Sequence, residues 1–105
     1  MEKILIIDDD ESIRESLVNL LIRWKYRTIS AENGRQGIDL ASSENPDLII
    51  SDIRMPKMSG LDVLDELQKL KLAIRVIIIT AHDDMSTTIQ AMQKGAYDFV
   101  EKPIE

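Results

Sequence analysis

The sequence predicts an α/β fold, a parallel sheet with helices over both faces. Short Ile- and Val-rich runs alternate with segments of helical periodicity, and no hairpin turn joins one run directly to the next. Strands linked through helices must run parallel, with right-handed crossovers. The 105 residues suffice for one domain with a real core.

The first apolar run, Lys3 to Ile7, reads as a buried strand and leads into "DDDES". Ile13, Leu17, Leu20, Leu21 and Trp24 then recur at spacings of three and four, which predicts a helix capped by Asp10, with Trp24 as a packing anchor. Tyr26 to Ser30 is more polar and reads as an edge strand. Asn33 to Ser43 forms the second helix, with Asn33 as its cap and Ile38 and Ala41 turned inward.

Asp47 to Ser51 is the third strand, and the turn-rich "MPKMSG" separates it from a helix marked by Leu61, Leu64, Leu67 and Leu70. Arg75 to Thr80 is the fourth strand. A fourth helix follows on Met85, Ile89 and Met92, its methionines serving as core fillers, with Asp83 or Asp84 as cap and Gly95 as stop. Tyr97 to Val100 closes the pattern as a fifth strand.

Composition narrows the function. Hydrophobic residues make up 44% and charged residues 30%, a soluble globular balance. The formal charge of −6, with no basic patch, argues against direct binding to nucleic acid or to an anionic membrane. No apolar run is long enough to span a bilayer, and no signal peptide is evident, so the expected location is cytoplasmic. The absence of cysteine rules out disulfides and thiolate metal sites.

The unusual polar residues gather where such sheets place their ligands, beyond the carboxyl ends of the strands. Asp8 and Asp9 follow the first strand, Asp52 the third, Thr80 ends the fourth, and Lys102 follows the last. Any one aspartate is explained by a cap or turn. Together they raise one another's pKa and cost stability unless a cation neutralises them, and Mg²⁺ is commonly held by a few carboxylates plus water. Asp52, expected on an exposed loop before a Pro-containing turn, is placed to attack phosphorus, with Lys102 and a metal offsetting charge and Thr80 donating a hydrogen bond.

Four segments in order, "ILIIDDDESIR", "PDLIISDIRMPKMSGLDVL", "RVIIITAHDD" and "GAYDFVEKPIE", closely resemble the receiver domain of bacterial two-component response regulators. The resemblance runs from Met1 to the last residue. It implies a three-layer flavodoxin-like sandwich with strand order 2-1-3-4-5. It implies that Asp52 accepts a phosphoryl group from a phosphohistidine on a sensor histidine kinase or phosphotransfer protein, making the chain a signalling domain rather than an enzyme. Asp8, Asp9, Asp52 and the backbone carbonyl of Arg54 would hold Mg²⁺, with Asp9 a direct ligand and Asp8 more often acting through water. Lys102 would pair with the phosphoryl oxygens, and its bond to Pro103 is often cis in the family. Thr80 and Phe99 would form the switch pair, although Tyr97 shares the period-two face of Phe99 and Phe99 also suits plain core packing. Arg54 and His82 stand where family side chains tune phosphoryl lifetime, while a lone His reads most simply as an incidental surface residue.

One departure from the family is expected to matter. The chain stops after "KPIE", before the usual fifth helix, and so reads as a receiver spanning 1–105, truncated at its C-terminus. Its uncovered face near the fourth helix and fifth strand is then expected to drive self-association. The stretch from Thr80 to Pro103 is most similar to receivers attached to AAA+ transcription activators of the nitrogen-regulation type, implying an ATPase and DNA-binding portion elsewhere. The rival reading is a Mg²⁺-dependent aspartyl-phosphate phosphatase or transferase of the haloacid-dehalogenase type, with Asp8 as nucleophile. A third is an interaction module that keeps the fold without being phosphorylated.

Overall fold

β-Branched residues dominate the central strands because those strands are covered on both faces, and the computed structural model, which describes residues 2–103, shows why. Met1 and the last two residues of "VEKPIE", Ile104 and Glu105, lie outside the described residues. The elements are β1 (Lys3–Ile7), α1 (Glu11–Arg23), β2 (Arg27–Ala31), α2 (Gly34–Glu44), β3 (Leu48–Asp52), α3 (Gly60–Lys69), β4 (Arg75–Thr80), a 3₁₀ turn (His82–Asp84), α4 (Met85–Gln93) and β5 (Asp98–Glu101). All strand pairs are parallel, in the order β2-β1-β3-β4-β5. This is the three-layer flavodoxin-like architecture that the resemblance implies.

Alternate residues of the central strands feed two separate cores. Leu5, Ile7, Ile49, Val76 and Ile78 pack with Ile38 and Ala41 of α2, Val63, Leu64 and Leu67 of α3, and Ala91 of α4. On the opposite face Ile4, Ile6 and Ile79 meet Leu17 and Leu21 of α1. Gly37 brings α2 against β1: a Cβ there would lie 2.4 Å from the Ile7 side chain.

Several expectations need correction. β2, β3 and β5 each begin one residue later than their patterns suggested, so Tyr26 and Tyr97 precede their strands and Asp52 is the last strand residue rather than a loop residue. Trp24 is 61% exposed and anchors nothing. The inward row of α1 advances by fours, Ile13 to Leu17 to Leu21, and Trp24 falls beyond the last turn as the C-cap. Leu70 is likewise a C-cap and exposed, and Val63 takes an inward place instead.

α4 is rotated relative to its predicted phase. Ile89 and Met92 are exposed and Met85 is only half-buried, while Thr88 and Ala91 are buried. The 3₁₀ turn before the helix sets this phase, turning Asp84 and Thr88, one α-turn apart, toward the interior. Asp84 occupies the N-cap position, but its side chain caps nothing.

Candidate functional site

β1, β3, β4 and β5 all end at one rim, and parallel register brings their ends level: Ile7 pairs with Ser51, and Asp52 with Ile79. The side chains that follow are drawn together by topology, not by sequence distance. Oxygens of Asp8, Asp9 and Asp52 all lie within 4.8 Å of one another. Lys102 Nζ approaches Asp52 Oδ2 at 3.4 Å, and its backbone N–H donates to the Thr80 carbonyl at 2.8 Å, which fixes the segment after β5 against β4. The Lys102–Pro103 bond is cis.

Burial is unequal across the triad. Asp8 and Asp52 are 1% and 5% exposed, whereas Asp9 faces solvent. Asp52 was expected to be exposed, and its place at the end of a central strand explains the difference. Asp8 Oδ1 accepts from the Asp10 N–H at 2.9 Å, and Arg14 Nη1 donates to the Asp8 backbone carbonyl at 2.7 Å. Asp8 Oδ2 is buried and has no hydrogen-bond partner among the described residues.

Such a carboxylate resists ionisation. Loss of hydration pushes the Asp8 pKa up to about 6, the Asp10 N–H counteracts this, and the charge of Asp52 adds to it. Asp52 is raised for the same first reason, with Lys102 and the Arg54 backbone N–H pulling it back. An orphaned buried oxygen and crowded hard donors fit a divalent cation such as Mg²⁺.

Gly60 holds the other wall of the site. The first residue of α3, it donates its N–H to the Ile53 carbonyl, and a Cβ there would lie 2.8 Å from the Asp52 carbonyl oxygen. The "SG" of the turn therefore has two tasks: Ser59 caps α3 in a capping box with Asp62, and Gly60 permits the close approach.

Thr80 stands apart from this group. It is fully buried, and its hydroxyl lies 2.7 Å from the Thr88 hydroxyl and 3.3 Å from the Ala81 carbonyl oxygen, with no hydrogen bond to Asp52. Arg54 turns its guanidinium to the buried Asp84 carboxylate. His82 is exposed, with Glu101 beside it at 3.5 Å. Phe99 is half-buried against the larger core, and Tyr97 is exposed with the Arg75 guanidinium over its ring. Sequence reasoning overlooked Arg14, Asp84 and Thr88 as neighbours of the site. For Thr88 no sequence signal existed, since Ser86, Thr87 and Thr88 are chemically alike until the phase of α4 selects one.

No described helix is long and apolar enough to cross a membrane. Among curated proteins, the regulatory protein AtoC of Escherichia coli K12 is 34% identical over the whole chain, and the DNA-binding transcriptional regulator NtrC of the same strain is 38% identical over 95% of it. The chain spans 23% and 21% of those two relatives' lengths. A response regulator receiver domain protein from Clostridium thermocellum superposes over the full chain and 85% of its own, with a TM-score of 0.94 at 34% identity. FixJ-N gives 0.93 at 34% identity, covering the full chain and 84% of its own. The response regulator receiver domain model matches residues 4–105, a span that includes every strand end of the acidic rim. With fold, rim and relatives in agreement, the chain belongs to the receiver domain family of two-component response regulators.

Proposed function

We propose that this chain is a phosphorylation-dependent switch in which Asp52 accepts a phosphoryl group from a histidine kinase or phosphotransfer protein. The observation that carries the reading is the convergence of Asp8, Asp9, Asp52 and Lys102 at one rim, with a buried carboxylate oxygen left without a partner.

An Asp52 carboxylate oxygen attacks phosphorus, the P–N bond of the donor phosphohistidine breaks, and the imidazole leaves with the electron pair and takes up a proton. Asp8, Asp9, Asp52 and the Arg54 carbonyl are the donors assigned to Mg²⁺, which when bound neutralises the carboxylates and the incoming phosphoryl charge. Lys102 meets the phosphoryl oxygens from the side of β5. Thr80 donates its hydroxyl to one of them once phosphate is in place, and Phe99 follows on the neighbouring strand.

The phosphoryl group brings a charge of roughly −1.5 to −2, by analogy with other phospho side chains. Output is assigned to the α4–β5 face, where Ile89, Met92, Tyr97 and Val100 are exposed, and where we also place self-association. A strictly monomeric species in sedimentation at micromolar concentration would count against that association. The name of NtrC, a DNA-binding transcriptional regulator, favours a transcription regulator as the whole protein, with this chain as its receiver and no direct nucleic-acid contact of its own.

The test is incubation with a small phosphodonor and Mg²⁺, read by intact mass. The parent gains one phosphoryl and Asp52→Asn does not. Labelling of Asp52→Asn to the parent's extent overturns the assignment, and a label mapped to Asp8 supports a haloacid-dehalogenase-type nucleophile instead.

A further inference from the structure

Thr88 lies outside the acidic rim, yet it has a close hold on a residue assigned to phosphoryl recognition. The two hydroxyls, Thr80 0% and Thr88 1% exposed, are 2.7 Å apart. Thr88 Oγ1 is also 2.9 Å from the Asp84 carbonyl oxygen, whereas the other acceptor within reach of Thr80, the Ala81 carbonyl, is 3.3 Å away. Each hydroxyl has one proton to donate and lone pairs to accept. The arrangement with two short bonds has Thr80 donating to Thr88 and Thr88 donating to Asp84. In it the Thr80 proton is committed to α4.

We propose that Thr88 is a positioning residue: its hydroxyl holds that of Thr80 in the resting state, and phosphoryl recognition at Asp52 must break this contact. The inference rests on the phosphoacceptor reading given above. Breaking it also releases a tether between β4 and the first turn of α4, a helix whose buried side chains are only Thr88 and Ala91. A local change of hydrogen-bond partner thereby becomes a change in how a surface helix is held.

Removing the latch should favour the engaged state. In Thr88→Val the shape is kept but Thr80 is left with the long Ala81 contact, an under-satisfied buried hydroxyl that gains more by turning to a charged oxygen. The measurement is the affinity for beryllofluoride, a phosphoryl mimic, with Mg²⁺ present. Thr88→Val is expected to bind about three- to tenfold more tightly than the parent, the value of one neutral hydrogen bond, and Thr88→Ser to bind like the parent. Thr88→Ala should shift in the same direction as Thr88→Val, which guards against one variant failing to fold. In a Thr80→Ala background the substitution at 88 should have no effect on affinity, an outcome that general loosening of α4 would not produce.

Unchanged or weaker binding by Thr88→Val and Thr88→Ala, or equal tightening in the Thr80→Ala background, overturns the latch while leaving the phosphoacceptor reading intact. A parent that binds no beryllofluoride overturns both.

Discussion

α3 and α4 pack on the same face of the sheet but are held by different means. α3 presents Val63, Leu64 and Leu67 to the core, all at most 4% exposed, and begins with a complete capping box. α4 presents one hydroxyl and one methyl, Thr88 and Ala91, and its N-cap carboxylate is turned away to Arg54. Apolar burial scales with area, so α3 is fixed by a non-directional force that survives small shifts, whereas α4 depends on directional contacts that one competing acceptor can break. Of the two, α4 is the one whose hold a change of hydrogen-bond partner can loosen.

The largest test of that contrast is a pair of truncations. Leu67→Ala removes a buried side chain and should cost about 3 kcal/mol in urea unfolding. Ile89→Ala on α4 deletes a similar volume from a side chain that is 55% exposed and should cost under about 1 kcal/mol. Equal losses would erase the distinction between the two helices.

The contrast also separates what the sequence discloses from what it withholds. α1 and α3 were legible because their inward rows are mostly Ile, Val and Leu, and the caps of α1 and α2, Asp10 and Asn33, sit at helix starts where their oxygens meet free N–H groups; the Ser59 cap of α3 went unread inside its turn-rich stretch. Asp8, Asp9, Asp52 and Lys102 could be assigned to one rim because a parallel sheet brings its strand ends level, whereas Thr80, at the end of β4, turns to Thr88 instead. α4 was misread because Met85, Ile89 and Met92 mimic an apolar stripe, while the buried stripe is Thr88 and Ala91, set by the phase of a preceding 3₁₀ turn. Hydrophobic periodicity found α4 but not its inward face, which a hydroxyl and a methyl form. The exposure of Asp52 was misjudged for a related reason: the strand ran one residue further than its apolar run.

A second test concerns the rim itself, which sits against the well-packed part of the molecule and strains it electrostatically. Burial pushes the Asp8 carboxyl up to about 6, against 3.8 for a solvated aspartate side chain. Between these values the folded state binds more protons than the unfolded chain, so this group's contribution to stability falls as pH rises and levels off above the folded pKa. In metal-free protein, Asp8→Asn should therefore gain on the parent by about 2–3 kcal/mol between pH 4 and pH 7.5. Mg²⁺ should stabilise the parent at neutral pH and have little effect on Asp8→Asn. A parent-to-variant difference that stays constant with pH would show that Asp8 carries no such penalty.

The smallest expected effect asks whether α4 is loosely held because it is a poor helix or because it is poorly packed. α1, α3 and α4 end with the same pair of bonds, as in Tyr26 N–H to the Leu21 carbonyl with Lys25 N–H to Ile22, and each places one residue at positive φ. In α4 that residue is Gly95 at φ 102, while α1 and α3 use Lys25 at φ 72 and Lys71 at φ 56. A lysine there has a Cβ that crowds the following carbonyl, and glycine does not. Lys25→Gly and Lys71→Gly should each stabilise by about 0.5–1 kcal/mol, read as a rise in urea midpoint at unchanged m-value. If they do, the helix with the best C-terminal backbone geometry is also the one that presents the least apolar surface to the core. The weakness of α4 would then lie in its inward face and its diverted cap; no gain in either variant would remove the ground for calling its C-terminus the better one.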